Sequence, residues 1–301
     1  MTHAIETSEL TKRYGSARGI DEVSMMVRSG EVFGFLGPNG AGKSTTIRTL
    51  LDFQRPTSGE ALVLGLDSRR DSVAIRRRVG YLPGELTLFD RMTGAHLVAW
   101  CSRARGGHDV ELTAALVDRF AITLDRPVRD LSKGNRQKVG LLLAFMHRPE
   151  LVILDEPTSG LDPLVQVEFE QLLRETASEG RTVLLSSHSL DEVQRVADRV
   201  AIIRDGRLVV TDEVEHLRAS APRLLSLTFG RPVDPLPFRA LEGVTGIEVD
   251  GTTIGLHLQG PVAPVLRTAL EHDLIDLVAR HADLDELFLS YYRDGVGDDG
   301  G

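Results

Sequence analysis

Gly37-Pro38-Asn39-Gly40-Ala41-Gly42-Lys43-Ser44 decides how this chain is read. It fits G-x-x-x-x-G-K-[ST], and it stands where that pattern carries meaning, between a short apolar strand (residues 31–36) and a helix from about Gly42 to Phe53. The glycines let the backbone wrap closely around phosphate with its N–H groups turned inward. The helix start adds the positive end of its dipole. Lys43 can reach β- and γ-phosphates, and Ser44 offers a hydroxyl to Mg²⁺. The plain alternative is a glycine-rich turn before an ordinary helix; the flanking strand and helix count against it.

Working outward, Leu151-Val152-Ile153-Leu154 is a continuous apolar run that ends in Asp155-Glu156. A strand buried on both faces reads this way. It delivers two carboxylates at its carboxyl end, where open α/β sheets bind ligands. Asp155 suits a second Mg²⁺ contact and Glu156 a general base for an attacking water. By itself the pair reads equally well as a solvated strand end before the turn at Pro157. The phosphate loop tips the balance toward chemistry.

Further strands are expected at 4–10, 23–28, 79–83, 182–186, 200–203 and 207–210, the last two joined by a turn at Asp205-Gly206. Residues 93–148 turn helical, with breaks at Gly106-Gly107 and Pro127. The first 212 residues thus form an α/β core with a helical insertion at about 85–148. After a proline-rich linker the order is strand 224–229, helix 238–243, strands 246–250 and 253–259, helix 262–272 and strand 274–280. That βαββαβ order is ferredoxin-like. A final amphipathic helix at about Leu284–Tyr292 and an acidic, glycine-rich tail at 294–301, expected to be disordered, follow.

The chain has 301 residues, 42% of them hydrophobic and 26% charged, enough for two packed domains and too apolar for global disorder. No apolar run approaches the roughly 18–20 residues that span a bilayer. Met1 to Leu10 carries Glu6 and Glu9 and lacks a signal-peptide core. One cysteine, Cys101, forms no intrachain disulfide. These features predict a cytoplasmic chain. The net charge is −9, and residues 221–301 hold 13 acidic against 6 basic residues, so no basic face for nucleic acid is expected.

Further motifs make the chain resemble the nucleotide-binding subunit of an ABC transporter over about residues 4–212. Leu131-Ser132-Lys133-Gly134-Asn135-Arg136-Gln137 is similar to the family signature, usually L-S-G-G-Q. Ser159-Gly160-Leu161-Asp162 resembles its D-loop, His188 its switch histidine, and Tyr14 the aromatic that stacks on adenine. The small C-terminal domain and Leu284-Asp285-Glu286-Leu287-Phe288 resemble those of drug- and antibiotic-exporting ATPases of the ABC-2 type.

The resemblance implies an α/β P-loop NTPase cassette with a helical subdomain at 1–218, an accessory α+β domain at 219–293, and an ATPase that uses ATP and Mg²⁺. It implies that Gly37, Pro38, Asn39, Gly40, Ala41, Gly42, Lys43, Ser44 and Thr45 surround the phosphates, and that Glu156 and His188 act in hydrolysis. Ser132, Gly134, Asn135 and Asp162 would serve a nucleotide shared across a homodimer of cassettes formed on ATP binding; Ser132 would cap its helix in any case. The partner implied is a separate transmembrane permease, docked on the helical region, which would hold the chain peripherally on the cytoplasmic face of the membrane and power export of a drug, antibiotic or lipid. A soluble ABC ATPase on ribosomes or DNA is the rival reading; one phosphate loop and no long coiled-coil insertion speak against it. A small-molecule kinase leaves the signature and D-loop unexplained.

The chain departs from the family pattern at two places. Lys133 and Asn135 stand where glycine and glutamine are usual, and Lys133 either adds charge near the γ-phosphate or faces solvent. After strand 79–83 the usual glutamine is missing. Gly84 takes its place and Glu85 follows, either as a substitute Mg²⁺ ligand or in a loop that only relays motion to the membrane partner.

Overall fold

The computed structural model describes residues 3–15, 17–220 and 223–281. The chain divides into two units, Met1–Glu213 and Val214–Gly301. The expected helix at 284–292 and the tail lie outside the described residues.

The first unit is built on a six-stranded sheet. Its strands are β4 (Val32–Leu36), β7 (Val79–Leu82), β8 (Leu151–Asp155), β9 (Thr182–Ser187), β10 (Arg199–Arg204) and β11 (Arg207–Glu213). The order is β11-β10-β4-β9-β8-β7, parallel throughout except for β11, which pairs antiparallel with β10. Every residue of β4, β8 and β9 is buried, which is why these strands read as unbroken apolar runs. Parallel pairing puts their carboxyl ends side by side: Leu36 lies opposite Ser187, and Asp155 opposite Ser186. Four loops therefore leave one edge of the sheet in a row, after β4, β9, β8 and β7. The helix α1 (Lys43–Leu50) follows the first of them.

A second sheet pairs β2 (Ala17–Val23), β1 (His3–Tyr14), β5 (Ser58–Val63) and β6 (Leu66–Asp67) in that order, with β3 (Met26–Arg28) also on β1. Here the sequence reading is corrected. The expected strand at 23–28 is two strands, because the buried Thr7 side chain stands in for the ladder between them: its Oγ1 donates to Val23 O and accepts from Met25 N, both at 2.9 Å. β1 runs four residues past its expected end at Leu10, through register shifts around Thr11. β5 has no strand pattern in sequence because only Ala61 and Val63 of its six residues are buried. A helix at 72–78, α2 (Ser72–Arg78), carries the three arginines before β7.

The insertion holds α3 (Gly94–Arg105), α4 (Val110–Arg119) and α5 (Lys133–Phe145). α5 packs against β7 so closely that a Cβ on Gly80 would lie 2.0 Å from Ala144 O. α6 (Pro163–Ser178) follows β8, and α7 (Leu190–Val196) follows β9.

The second unit begins with α8 (Val214–Ser220) and continues as β12 (Arg223–Phe229), α9 (Leu236–Arg239), β13 (Val244–Asp250), β14 (Thr253–Leu258), α10 (Ala263–Leu270) and β15 (Leu274–His281). The strands form one antiparallel sheet, β13-β14-β12-β15, around a core that includes Leu227, Phe229, Phe238 and Leu256. α9 is a single turn shifted toward the N-terminus of its expected span at 238–243, starting between Pro235 and Pro237, which fix its entry.

Candidate active site

The phosphate loop closes on itself through Lys43. Its Nζ donates to Gly37 O at 2.6 Å and to Pro38 O at 3.2 Å, and the residue is only 5% exposed. Gly42, the N-cap of α1, has φ 111°, and a Cβ there would meet Ile20 Cγ2 at 2.7 Å, so glycine is required on two grounds. Ala41 N donates to Pro38 O, and Gly206 N to Ala41 O, pinning the loop from the β10–β11 turn. Asn39 and Gly40 are exposed, and Ser44 and Thr45 half-buried at the helix start.

The loop after β8 meets this one. Glu156 Oε1 lies 3.0 Å from Lys43 Nζ, an ion pair in which that oxygen has no aligned hydrogen bond. Its Oε2 is 2.6 Å from Nδ1 of the exposed His188, at the end of β9. One carboxylate thus joins the cation of one loop to the imidazole of another. Glu156 has φ 50°, uncommon for a residue with a side chain, so its neighbours must hold it there.

Asp155 is buried, 1% exposed. A residue the sequence reading passed over orders it: Ser186 Oγ donates to Asp155 Oδ1 at 2.6 Å and accepts from Glu156 N at 3.2 Å. The signal was present as two serines, Ser186-Ser187, closing an apolar strand. Ser187 Oγ donates to Glu192 Oε2 and Thr158 Oγ1 to Glu192 Oε1, at 2.6 and 2.7 Å. In sequence Ser189-x-x-Glu192 looks like a capping box, but the Ser189 side chain caps nothing and Glu192 reaches back across the site instead.

Gly84 borders Asp155: a Cβ on Gly84 would approach Asp155 Oδ2 to 3.3 Å. Glu85 is exposed. Asp155 ends β8 and Ser44 stands in the first turn of α1, and carboxylate and hydroxyl oxygens are hard donors. That set suits Mg²⁺, which keeps waters and takes the rest of its octahedron from phosphate oxygens. Among the described residues no group of three or more His, Cys, Asp or Glu could hold a metal without such help. Burial first, then the charge of Asp155, pushes the nearby Tyr81 phenol up to about 12.

Tyr14 ends β1, 46% exposed, with its ring against Gly19 and its hydroxyl bonded to Gln54. Gly19 and Ile20 border Gly42, which puts the hairpin carrying Tyr14 beside the phosphate loop.

The signature residues stand apart. Ser132 caps α5 and accepts from Asn135 N at 3.2 Å, and Asp162 caps α6, accepting from Val165 N at 3.0 Å. Gly134 and Asn135 are half-buried. Among the described residues no hydrogen bond or ion pair joins Ser132, Gly134 or Asn135 to the phosphate loop. Lys133 is exposed, as one of its two expectations had it, and its Nζ donates to Ser159 Oγ at 3.0 Å.

Known proteins resemble this chain in sequence and in fold. A sequence model of the ABC transporter family matches residues 20–159. The daunorubicin/doxorubicin resistance ATP-binding protein of Streptomyces peucetius is 34% identical over 96% of this chain and 92% of its own length. The Nod factor export ATP-binding protein I of Sinorhizobium fredii is 34% identical over 95% of this chain and 85% of its own. A dimeric ATP-binding cassette in a post-hydrolysis state bound to ADP and Pi shares the fold, with TM-score 0.64 at 21% identity over 70% of this chain and 98% of that one.

Proposed function

Because this chain belongs to the ABC transporter ATP-binding proteins, we propose that it hydrolyses ATP to power an exporter of drugs, antibiotics or lipids through a separate membrane-spanning partner. The observation that carries the hydrolytic part is the three-way contact Lys43–Glu156–His188 at adjoining strand ends. Lys43 is held by two carbonyls and Glu156, so phosphate exchanges for contacts already in place. Glu156, released from Lys43, takes the proton of the attacking water. His188 holds the other carboxylate oxygen and fixes which lone pair faces that water. Mg²⁺, seated on Ser44 and Asp155, would neutralise phosphate charge. Tyr14 offers an exposed ring for the base.

The two relatives named for resistance and for export align across both units, which supports the exporter reading. Among the described residues no helix is long and apolar enough to cross a membrane, so the partner supplies the passage. It would hold the chain on the cytoplasmic face. The docking surface is the insertion, where Phe89 and Trp100 form an edge-to-face pair at 5.6 Å while 57% and 49% exposed. Two large rings left in water suit a partner's apolar element. Ser132, Gly134, Asn135 and Asp162 serve the nucleotide of a second copy, and the dimeric cassette of the same fold supports that assignment.

The test is a pair of variants. Lys43→Ala should lose most ATP affinity. Glu156→Gln should bind ATP normally and lose turnover by about 10²–10⁴, since an amide takes no proton. Normal turnover in Glu156→Gln sinks the base assignment.

A further inference from the structure

We propose that the first turns of α5 position the same chain's Glu156, with Gln137 and Lys133 as the positioning residues. The inference rests on the reading of Glu156 as the base.

Lys133 and Gln137 are four residues apart and share one face of the helix. Both hold the turn that leaves Glu156. Gln137 is buried, and its Nε2 donates to Pro157 O at 2.8 Å, one residue after the carboxylate. Lys133 Nζ donates to Ser159 Oγ at 3.0 Å, and its methylenes would lie 3.2–3.3 Å from a Cβ on Gly160. Between them Gly134 brings the helix backbone against the turn: a Cβ there would stand 2.8 Å from Gly160 O. The turn is closed by Ser159 N on Glu156 O at 3.4 Å and gripped from its far side by Thr158 on Glu192.

Glu156 needs such restraint because its φ of 50° is one that a side chain disfavours. A glycine at 133 has no atoms with which to reach Ser159. Ser132 opens the same helix, so a phosphate received from a second copy at Ser132 and the carboxylate of this chain's own site are linked through about one helical turn. Turnover, rather than nucleotide affinity, is what this link sets.

The full-length chain is compared with Lys133→Ala, Ser159→Ala, their double variant, Gln137→Glu and Lys133→Arg. Gln137→Glu keeps the size but sets a carboxylate against Pro157 O in place of a donor. Losing a hydrogen bond of this kind corresponds to about threefold to tenfold in rate. Expected are kcat reduced about tenfold in Gln137→Glu and about threefold in Lys133→Ala and in Ser159→Ala, with KM and equilibrium ATP affinity unchanged. The double variant should be no worse than either single one, as for two ends of one contact. Lys133→Arg, which keeps a donor, should restore most of the rate. If Gln137→Glu folds poorly in a thermal scan, the exposed pair decides alone. Additive losses at 133 and 159, unchanged kcat in both, or weakened ATP affinity in Lys133→Ala beside an inert Ser159→Ala each overturn the proposal. Full turnover in Glu156→Gln would instead remove the base reading beneath it.

Discussion

The edge of the six-stranded sheet and the start of α5 are both proposed to receive phosphate at a helix N-terminus, yet they are built differently. At the sheet edge Lys43, Asp155 and Ser186 are buried and bonded to one another's loops. At α5 and α6, Ser132 and Asp162 spend their oxygens on their own helix backbones. The first region is organised by the fold of one chain. The second has its own caps satisfied. The contrast favours a site completed by another copy, each nucleotide lying between one chain's Lys43 and its partner's signature.

The sharpest way to break that contrast is to mix two dead chains. Lys43→Ala and Ser132→Arg homodimers should each lose both sites. Mixed dimers collect both lesions in one site and leave the other whole, so random mixing should restore roughly a quarter of the sites. Nucleotide trapping should be measured beside turnover, because coupling between sites can mask recovery of the latter. No recovery of either in confirmed mixed dimers would end the shared-site reading.

The buried network is tested by Ser186→Ala. One hydroxyl orders both acids, so turnover should fall about tenfold with ATP affinity nearly kept. A wild-type rate would show that Asp155 and Glu156 hold their places without it.

A smaller effect is expected at Glu85. Gly84 borders Asp155 and Glu85 is exposed, so Glu85→Ala should leave the Mg²⁺ concentration for half-maximal hydrolysis within about twofold of wild type, the sensitivity of an exposed group. A large rise would return Glu85 to the metal.

The last effect concerns stability away from the chemistry. Arg105 donates to Arg76 O and Val79 O and to His147 Nε2 at 2.8 Å, which requires a neutral imidazole. Burial, then the Arg105 charge, holds the His147 pKa down at about 4 against an ordinary 6.5. The unfolded chain therefore binds the extra proton between these values, and stability should fall as pH drops from 6.5 toward 4, with the full contribution present above 6.5. His147→Gln should flatten the thermal midpoint across that window. An unchanged pH profile would place the acid sensitivity elsewhere.

The core strands were legible because burial on both faces writes them as apolar runs, and Asp205-Gly206 as a hairpin because both residues take positive φ, 48° and 79°. β5 and the break between β2 and β3 were not. Their partners are distant in sequence, and Thr7 carries hydrogen bonds that no local pattern announces.

For the site, the sequence alone determined the phosphate loop and the two acids, since spacing and flanking elements suffice for chemistry delivered by one strand and one turn. Tertiary structure alone decided that Ser186 orders both acids, that Glu192 crosses to Thr158 instead of capping α7, and that Lys133 lies on Ser159. Each of these contacts joins residues 26 to 34 positions apart in the chain. Only the parallel register, which sets β8 beside β9 and α5 beside the turn after β8, brings them within reach.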